Sequence, residues 1–278
     1  MATGDAIDDP AIRNAIEALA VALRELADMA GHALAADLAQ GRIQQRSIVS
    51  LVAPDVPGYD LASHYAAARE IGGDFFELFR LRRRSRPLSI VIADVTGKGI
   101  AAALLMAFAR PVIHGALNGA NGPAQALERT NKILVDERRS ILFITVLVGE
   151  LDLPSGRIRL ANAGHEPPLV VPADGSPIRQ LEIGGVLMGA FPTLGLREVD
   201  LTLAPGDVLF LYTDGVTDAR GPSGERFGEA RMVEVVDAAR GGTAKDIVDA
   251  VRGAVAAFSG DVEPADDVTI VAVGRRRG

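Results

Sequence analysis

Cysteine and tryptophan are both missing from this chain of 278 residues, and aromatic residues make up only 4% of it. Without cysteine, the sequence excludes disulfide bonds, a structural zinc site built on thiolates, and a cysteine nucleophile. Hydrophobic residues nevertheless account for 48% of the chain. A large aliphatic core is therefore expected to stabilise the fold.

The chain also lacks an excess of basic residues: its formal net charge is -7 and its isoelectric point is near 5.2. A general nucleic-acid binder would need a basic face to neutralise phosphates. The first residues lack the basic and then apolar pattern of a signal peptide, and the longest uncharged apolar stretch, Ile100 to Ala109, is too short to span a bilayer. The sequence thus predicts a cytoplasmic protein with no nucleic-acid and no membrane partner.

Four aspartates stand where an apolar run or a glycine turn stops. They are Asp74 in IGGDFFE, Asp94 in IVIADVTGKG, Asp214 in LFLYTDG and Asp266 in ADDVTIVAV. A carboxylate at a strand tip can reach a cavity while the sheet holds its backbone rigid. Four such oxygen donors, with no Cys or His nearby, suit hard cations such as Mg²⁺ or Mn²⁺. Together they indicate a two-metal site for the hydrolysis of a phosphate ester.

Each aspartate taken alone has a simpler interpretation. Asp214 followed by Gly215 is typical of a tight turn, because this pair tolerates positive φ. Asp94 could close a buried strand, and Asp266 with Asp267 could form a solvated loop. The metal interpretation therefore depends on finding all four in one chain.

The first part of the chain predicts a helix. Residues 10–40 are rich in alanine, and their apolar positions alternate four and three apart, at Ile12, Ile16, Leu19, Leu23 and Leu26. This spacing is typical of a short coiled-coil seam. Two possibilities stay open: a helix that forms a homodimer, and an amphipathic helix that packs on its own domain. We divide the chain into an N-terminal helical, possibly regulatory segment, 1–47, and a main domain, 48–278.

The main domain is predicted to mix strands and helices. Short β-branched runs separated by turns predict strands at 61–66, 75–81, 88–94, 141–151, 157–163, 169–171, 207–213 and 268–273. Helical patterns cover 100–117, 123–138, 228–239 and 243–258. Because strands and helices do not alternate regularly, the order favours an α+β layered fold with a mostly antiparallel sheet.

Five segments in a fixed order resemble a known family. They are IGGDFFELF, IVIADVTGKGIAAALLMAF, FITVLVGELDLPSGRIRLANAGHEPPLV, LAPGDVLFLYTDGVTDARGPSGERFGEARM and DDVTIVAV. Over roughly Ile48 to Val273, they resemble the SpoIIE-type branch of the PPM metal-dependent serine/threonine protein phosphatases. The resemblance implies an αββα sandwich of two antiparallel sheets flanked by helices, with the metals at one edge.

The resemblance also implies roles for the aspartates. Asp94 would bridge two Mn²⁺ or Mg²⁺ ions, Asp214 and Asp266 would complete one of them, and Asp74 with the backbone carbonyl of Val95 would hold the other. Two further residues would support these ligands without binding metal. They are Asp267, and Lys98, which could instead simply begin a surface helix.

The implied reaction is direct attack of a metal-bound hydroxide on a phosphoserine or phosphothreonine. Asp94 and Asp214 would act through this metal-bound water, with the two ions about 4 Å apart. Many eukaryotic-type members have a histidine at the position of Thr96, so the sequence assigns no general acid. His165, in ANAGHEPP, matches a family motif and is expected to order the backbone.

Bacterial relatives usually act on phosphorylated anti-anti-sigma (STAS-type) proteins, which makes this the expected substrate class. A separate activator protein is expected to deliver the input signal. The alternative is a pseudophosphatase, a regulatory module that binds a phosphoprotein without turnover. A nucleotide cyclase, suggested by GGDFFE, leaves the YTDG and DDVT segments unexplained, and TGKG lacks the Ser or Thr that a Walker loop requires.

Overall fold

The computed structural model describes residues 36–45, 53–83, 85–137 and 142–277. By its internal contacts the chain divides into two compact units, Met1–Arg46 and Ser47–Gly278. Residues 36–45 of the first unit are helical (α1). The apolar seam expected between residues 12 and 26 lies outside the described residues, so the division into 1–47 and 48–278 stays a prediction.

The second unit contains ten strands and five helices in its described part. The strands are β1 Tyr59–Ala66, β2 Phe75–Arg80, β3 Leu88–Val95, β4 Ile144–Leu151, β5 Arg157–Ala163, β6 Leu169–Val171, β7 Arg179–Gln180, β8 Val199–Thr202, β9 Val208–Tyr212 and β10 Val268–Arg275. The helices are α2 Ile100–Gly119, α3 Pro123–Glu137, α4 Asp214–Thr217, α5 Gly228–Ala238 and α6 Ala244–Ser259.

The strands form two antiparallel sheets of five strands each. One sheet has the order β1-β10-β9-β6-β7 and the other β2-β3-β4-β5-β8. Helices α2 and α3 pack on the β2–β8 sheet, whereas α6 packs on β1 and β10 and carries α5 beside it. The expected α+β sandwich of two antiparallel sheets flanked by helices is therefore confirmed.

Side chains along strand β9 alternate between two hydrophobic cores, one on each face of its sheet. On β9, Leu209 and Leu211 belong to the core between the sheets, whereas Phe210 and Tyr212 belong to the core beneath α5 and α6. Successive side chains of a strand point to opposite faces, so an unbroken apolar run such as VLFLY fits a strand that is covered on both sides. The same run predicted this strand from the sequence.

Differences from the predicted elements are local. Strand β4 begins at Ile144, three residues later than expected, and the two short strands β7 and β8 were missed. The pair Asp214 and Gly215 begins the short helix α4 rather than a hairpin turn. Short edge strands carry too few alternating residues to give a periodic signal.

Helix α2 is apolar enough and, at 20 residues, long enough to cross a bilayer by length and composition alone. The uncharged stretch that ends at Ala109 was too short for this, but the helix continues through Arg110. In this fold α2 buries one side, which includes Met106, Ile113 and Leu117. These side chains belong to the core that covers the β2–β8 sheet.

A buried ion pair fixes α2 to the sheet. Arg110 donates to Glu77 Oε1 at 2.7 Å, and His114 Nδ1 lies 3.2 Å from the same oxygen. The ring of Phe79, two residues along β2, stacks on His114 with centroids 3.9 Å apart. Because the Glu77 side chain is only 3% exposed, its charge depends on Arg110 for compensation.

We predict that Arg110→Met lowers the free energy of unfolding by about 3 kcal/mol, because it leaves the Glu77 carboxylate buried without a charged partner. The double variant Arg110→Met with Glu77→Gln should recover about half of this loss. Urea unfolding of the four proteins measures both effects. Additive losses in the double variant would contradict the coupling.

Candidate metal centre

The four aspartates predicted from the sequence come together at one end of the sandwich. Asp94 lies near the end of β3, and Asp74 immediately precedes β2, its antiparallel neighbour. In the other sheet, Asp214 follows β9, and Asp266 precedes β10. In an antiparallel pair, the end of one strand lies beside the start of the next. Each sheet therefore presents two carboxylates at the same edge.

Asp267 organises the loop that carries Asp74. Its carboxylate accepts hydrogen bonds from the backbone amides of Ala68 at 2.8 Å, Gly73 at 2.8 Å and Asp74 at 3.3 Å. The loop approaches so closely that a Cβ added to Gly72 would lie 2.0 Å from Asp267 Oδ2. Asp267 thus ties the loop before β2 to the start of β10.

Two threonines position the carboxylate of Asp74. Thr213 and Thr269 both donate to Asp74 Oδ2, at 2.8 and 2.7 Å. The amide of Thr269 in turn donates to Thr213 Oγ1 at 3.0 Å. The sequence analysis missed both threonines, although each occurs in a segment it singled out, LYTDG and DDVT. The carboxyl group they hold is also hydrogen-bonded to Asp94.

Burial and mutual repulsion raise the pKa values of these carboxyl groups. The pKa of Asp74 lies well above its usual range because of burial and the charges of Asp94 and Asp267. Burial, followed by the charge of Asp214, raises the pKa of Asp94 to about 7, and a hydrogen bond with Asp74 opposes this rise. The pKa of Asp214 is raised by burial and by Asp266. The centre therefore holds more negative charge than its own groups balance.

Lys98 supplies positive charge at the outer side of the centre. Its ammonium lies 2.8 Å from Asp266 Oδ2 and also donates to the carbonyl of Ala265. The TGKG turn therefore brings Lys98 across to the loop before β10. This places Lys98 beside one of the predicted ligands.

Val95 and Thr96 complete the β3 side. The Val95 carbonyl oxygen lies directly against the loop, since a Cβ added to Gly73 would be 2.9 Å from it. Thr96 Oγ1 donates to the Phe143 carbonyl at 3.1 Å and accepts from the Phe143 amide at 2.8 Å. Both hydrogen-bonding roles of the Thr96 hydroxyl are thus occupied by backbone.

His165 stands between the two sheets beneath the carboxylates. Its Nδ1 is 2.9 Å from Thr145 Oγ1, and Thr145 pairs with Asp94 across β3 and β4. On its other side the ring is near the Tyr212 carbonyl, at the end of β9, but its buried Nε2 makes no hydrogen bond. Burial lowers the pKa of His165 to about 3, so the ring is neutral. His165 is therefore hydrogen-bonded to the strand beside Asp94 and lies close to the strand end that precedes Asp214.

The arrangement suits a hard divalent cation, although its carboxylates do not yet converge on a single point. Within the described ranges, no three Asp, Glu or His side chains form a closed set around one position. Asp267 is turned to loop amides, and Asp266 is turned to Lys98. The donors are all oxygens and carry excess negative charge, which Mg²⁺ or Mn²⁺ would neutralise.

Comparison with known proteins agrees with this geometry. A family model described as Stage II sporulation protein E (SpoIIE) matches residues 84–276. The chain is 26% identical, over 65% of its length, to the phosphoserine phosphatase RsbU of Bacillus subtilis, of which it covers 53%. It spans about half the length of the curated relatives it matches.

Two solved structures share the fold. The RsbU and RsbW domains of Rv1364c from Mycobacterium tuberculosis are 30% identical with a TM-score of 0.69, over 81% of this chain and 62% of that chain. The SiaA-PP2C domain of Pseudomonas aeruginosa is 22% identical with a TM-score of 0.76, over 90% of this chain and 99% of that chain. The two packed sheets are therefore those of PP2C-type domains.

We predict that Gly215→Ala destabilises the protein by at least about 2 kcal/mol, because the new Cβ would lie 1.8 Å from the Asp267 carbonyl oxygen. The matched control is Gly253→Ala in α6, where a Cβ meets nothing within 4 Å. This control should stabilise the protein by about 0.5–1 kcal/mol. Thermal unfolding of both variants tests the pair, and equal effects would contradict the close approach at Gly215.

We also predict a pH signature for His165. Below about pH 6.5, this histidine binds a proton in the unfolded chain, whereas the buried ring in the folded protein stays neutral down to about pH 3. Protonation of the unfolded chain therefore lowers the free energy of unfolding as the pH falls from about 6.5 towards 3. The difference in unfolding free energy between the wild type and His165→Gln should therefore shrink by about 2 kcal/mol between pH 7.5 and pH 5. Urea unfolding at the two pH values measures it. A constant difference would show that the ring takes up a proton in the native state.

Proposed function

Since the chain belongs to the SpoIIE family, the SpoIIE-type branch of the PPM phosphatases, we propose that it is a metal-dependent protein phosphatase that hydrolyses phosphoserine or phosphothreonine. The main support for this proposal is that four aspartates lie together at one edge of the two sheets: Asp74, Asp94, Asp214 and Asp266. Carboxylates with raised pKa values, gathered without matching positive charge, are typical of a site that binds cations.

The proposed ligands follow the positions of these groups. Asp94 lies between the other carboxylates and would serve two Mn²⁺ or Mg²⁺ ions. Asp214 and Asp266 would complete one ion, and Asp74 with the Val95 carbonyl the other. When bound, such a pair of ions lowers the pKa of a water molecule and neutralises charge on the phosphoryl group.

The chain's own residues orient these ligands. Thr213 and Thr269 hold one oxygen of Asp74, so its other oxygen is aimed at the centre. Asp267 fixes the loop backbone and serves as a positioning residue. Lys98 balances Asp266 and lies where a phosphate dianion would need positive charge.

No side chain takes the part of general acid in this proposal. The Thr96 hydroxyl, at the position where other members have histidine, already donates to the Phe143 carbonyl. It therefore has no proton available for a leaving serine oxygen. A water molecule would instead donate the proton that the departing serine oxygen needs.

The proposed substrate is a phosphorylated regulatory protein of the STAS-type anti-anti-sigma class. RsbU is named a phosphoserine phosphatase, and in Rv1364c an RsbU domain is joined to an RsbW domain. A separate activator, a homodimer formed through the N-terminal helix and a cytoplasmic location complete the proposal. These three expectations come from the sequence, and this chain covers only about half the length of its curated relatives.

We predict that Asp94→Asn lowers the release of phosphate from p-nitrophenyl phosphate and from a phosphoserine peptide by at least about 100-fold, with Mn²⁺ or Mg²⁺ added. Addition of a chelator to the wild type should give the same loss. The control is Asp55→Asn, an exposed aspartate away from the carboxylate cluster, which should leave turnover unchanged.

Near-normal turnover by Asp94→Asn would contradict the assignment of Asp94. If the wild type releases no phosphate under any of these conditions, the alternative of a phosphoprotein-binding module without turnover gains support. Binding of a phosphoserine peptide by that protein would support recognition of phosphoserine at the site, and absence of binding would contradict both the phosphatase and the binding module.

A further inference from the structure

An uncharged loop follows the short strand β7. Residues 183–196, IGGVLMGAFPTLGL, contain no Asp, Glu, Lys, Arg or His, although Glu182 and Arg197 flank them. Loops on a protein surface are usually polar, because their backbone and side chains face water. The absence of charged side chains from this loop therefore needs a structural or functional explanation.

A buried asparagine of α3 fixes the middle of this loop. Asn131 is fully buried. Its Nδ2 donates to the carbonyls of Phe191 at 2.9 Å and Pro192 at 3.4 Å, and its Oδ1 accepts from the amide of Gly189 at 2.8 Å. One side chain thus satisfies three backbone groups on both sides of the loop's turn.

A glutamate one turn earlier on α3 fixes the end of the loop. The carboxylate of Glu128 accepts from the amides of Leu194 at 3.1 Å, Gly195 at 2.7 Å and Leu196 at 3.4 Å. Hydrogen bonds to a charged acceptor are stronger than neutral ones. Residues 189–196 are therefore held in one conformation without strand pairing.

The loop passes beside the candidate metal centre at Met188. Met188 exchanges two backbone hydrogen bonds with Ile144, at 2.9 and 3.0 Å. Ile144 in turn pairs with Val95 at the end of β3. Two strand spacings place Met188 about 10 Å from Val95. A protein bound at the centre through a phosphoserine would reach the residues that follow Met188.

Two apolar side chains on this rigid loop face solvent. Phe191 is 52% exposed and Val186 is 38% exposed. The surroundings of the centre are acidic, since Glu166 and Asp218 lie near Asp214 and Glu229 lies near Glu166. An uncharged apolar contact offers affinity for a phosphoprotein that this acidic field does not repel. A contact residue held in place before binding also loses little entropy when it binds.

We propose, on the premise of the proposed function, that Phe191 is a specificity-determining residue: it binds an apolar surface next to the phosphorylated residue of the protein substrate. Asn131 and Glu128 are positioning residues that hold the loop backbone around Phe191 in one conformation. The occupant of this loop is thus the phosphoprotein substrate. Small phosphoesters, which reach only the centre, are hydrolysed without this contact.

The test uses the full chain, p-nitrophenyl phosphate and two phosphoserine peptides that differ only in having leucines or serines beside the phosphoserine. We expect the wild type to favour the leucine peptide by about tenfold in kcat/KM, mostly through KM. Phe191→Ala should remove this preference and leave p-nitrophenyl phosphate turnover unchanged. Phe191→Leu should restore part of the preference.

Two further variants separate position from general loss of packing. Asn131→Ala frees the loop and should reduce the preference while p-nitrophenyl phosphate turnover persists. Ile133→Ala removes an apolar side chain of α3 that is 43% exposed and makes no hydrogen bond to the loop. Ile133→Ala should change neither the preference for the leucine peptide nor the turnover of p-nitrophenyl phosphate. Equal kcat/KM for the two peptides in the wild type, or full preference in Phe191→Ala, would overturn the proposal.

Binding distinguishes a failure of this proposal from a failure of the proposed function. Fluorescence anisotropy of the labelled peptides gives their affinities in the wild type and in Phe191→Ala, whether or not phosphate is released. If p-nitrophenyl phosphate is not hydrolysed, but the leucine preference is retained in binding and lost in Phe191→Ala, the docking residue is supported independently of the proposed phosphatase activity. Equal binding of the two peptides by the wild type would reject the docking residue alone.

Discussion

The repulsion between carboxylates gathered at one edge of the sandwich is the constraint on which the rest of the structure depends. Asp74, Asp94 and Asp214 all have raised pKa values because they are buried near one another. Left free, these side chains would turn apart into solvent. Rigid strand ends, backbone amides and threonine hydroxyls prevent this. The fold thus concentrates electrostatic repulsion at one place, and a bound cation would relieve it.

The supports of the centre come from both sheets, which explains why the two layers must keep a fixed separation. Asp267 extends from the β10 side to the amides of the loop before β2. The large apolar core between the sheets sets their overall separation. The hydrogen bonds of Asp267 then fix the separation at the carboxylates. A small shift of one sheet relative to the other would therefore move the candidate ligands apart.

The fold class and the four aspartates could be predicted because both depend on local patterns. Apolar runs showed the strands, and each aspartate stood at the end of such a run or beside glycines. Thr213 and Thr269 were missed because threonine is an ordinary strand residue, so its presence signals nothing by itself. The hydrogen bonds from Asn131 to the loop join residues about sixty positions apart. No spacing rule within one helix reveals such a contact.

The hydrogen bonds from the loop amides to Asp267 determine when this loop can become fixed during synthesis of the chain. The carboxylate joins amides that precede it by 193 to 199 positions. A nascent chain that has already produced Asp74 and Asp94 lacks the group that fixes the loop between β1 and β2. During synthesis, strand β10 must leave the ribosome and insert between β1 and β9 before the loop is fixed. Long-range closures of this kind are slow steps in folding. A chain that lacks Asp267 and β10 therefore contains Asp74 and Asp94 without the contacts that fix the loop before β2.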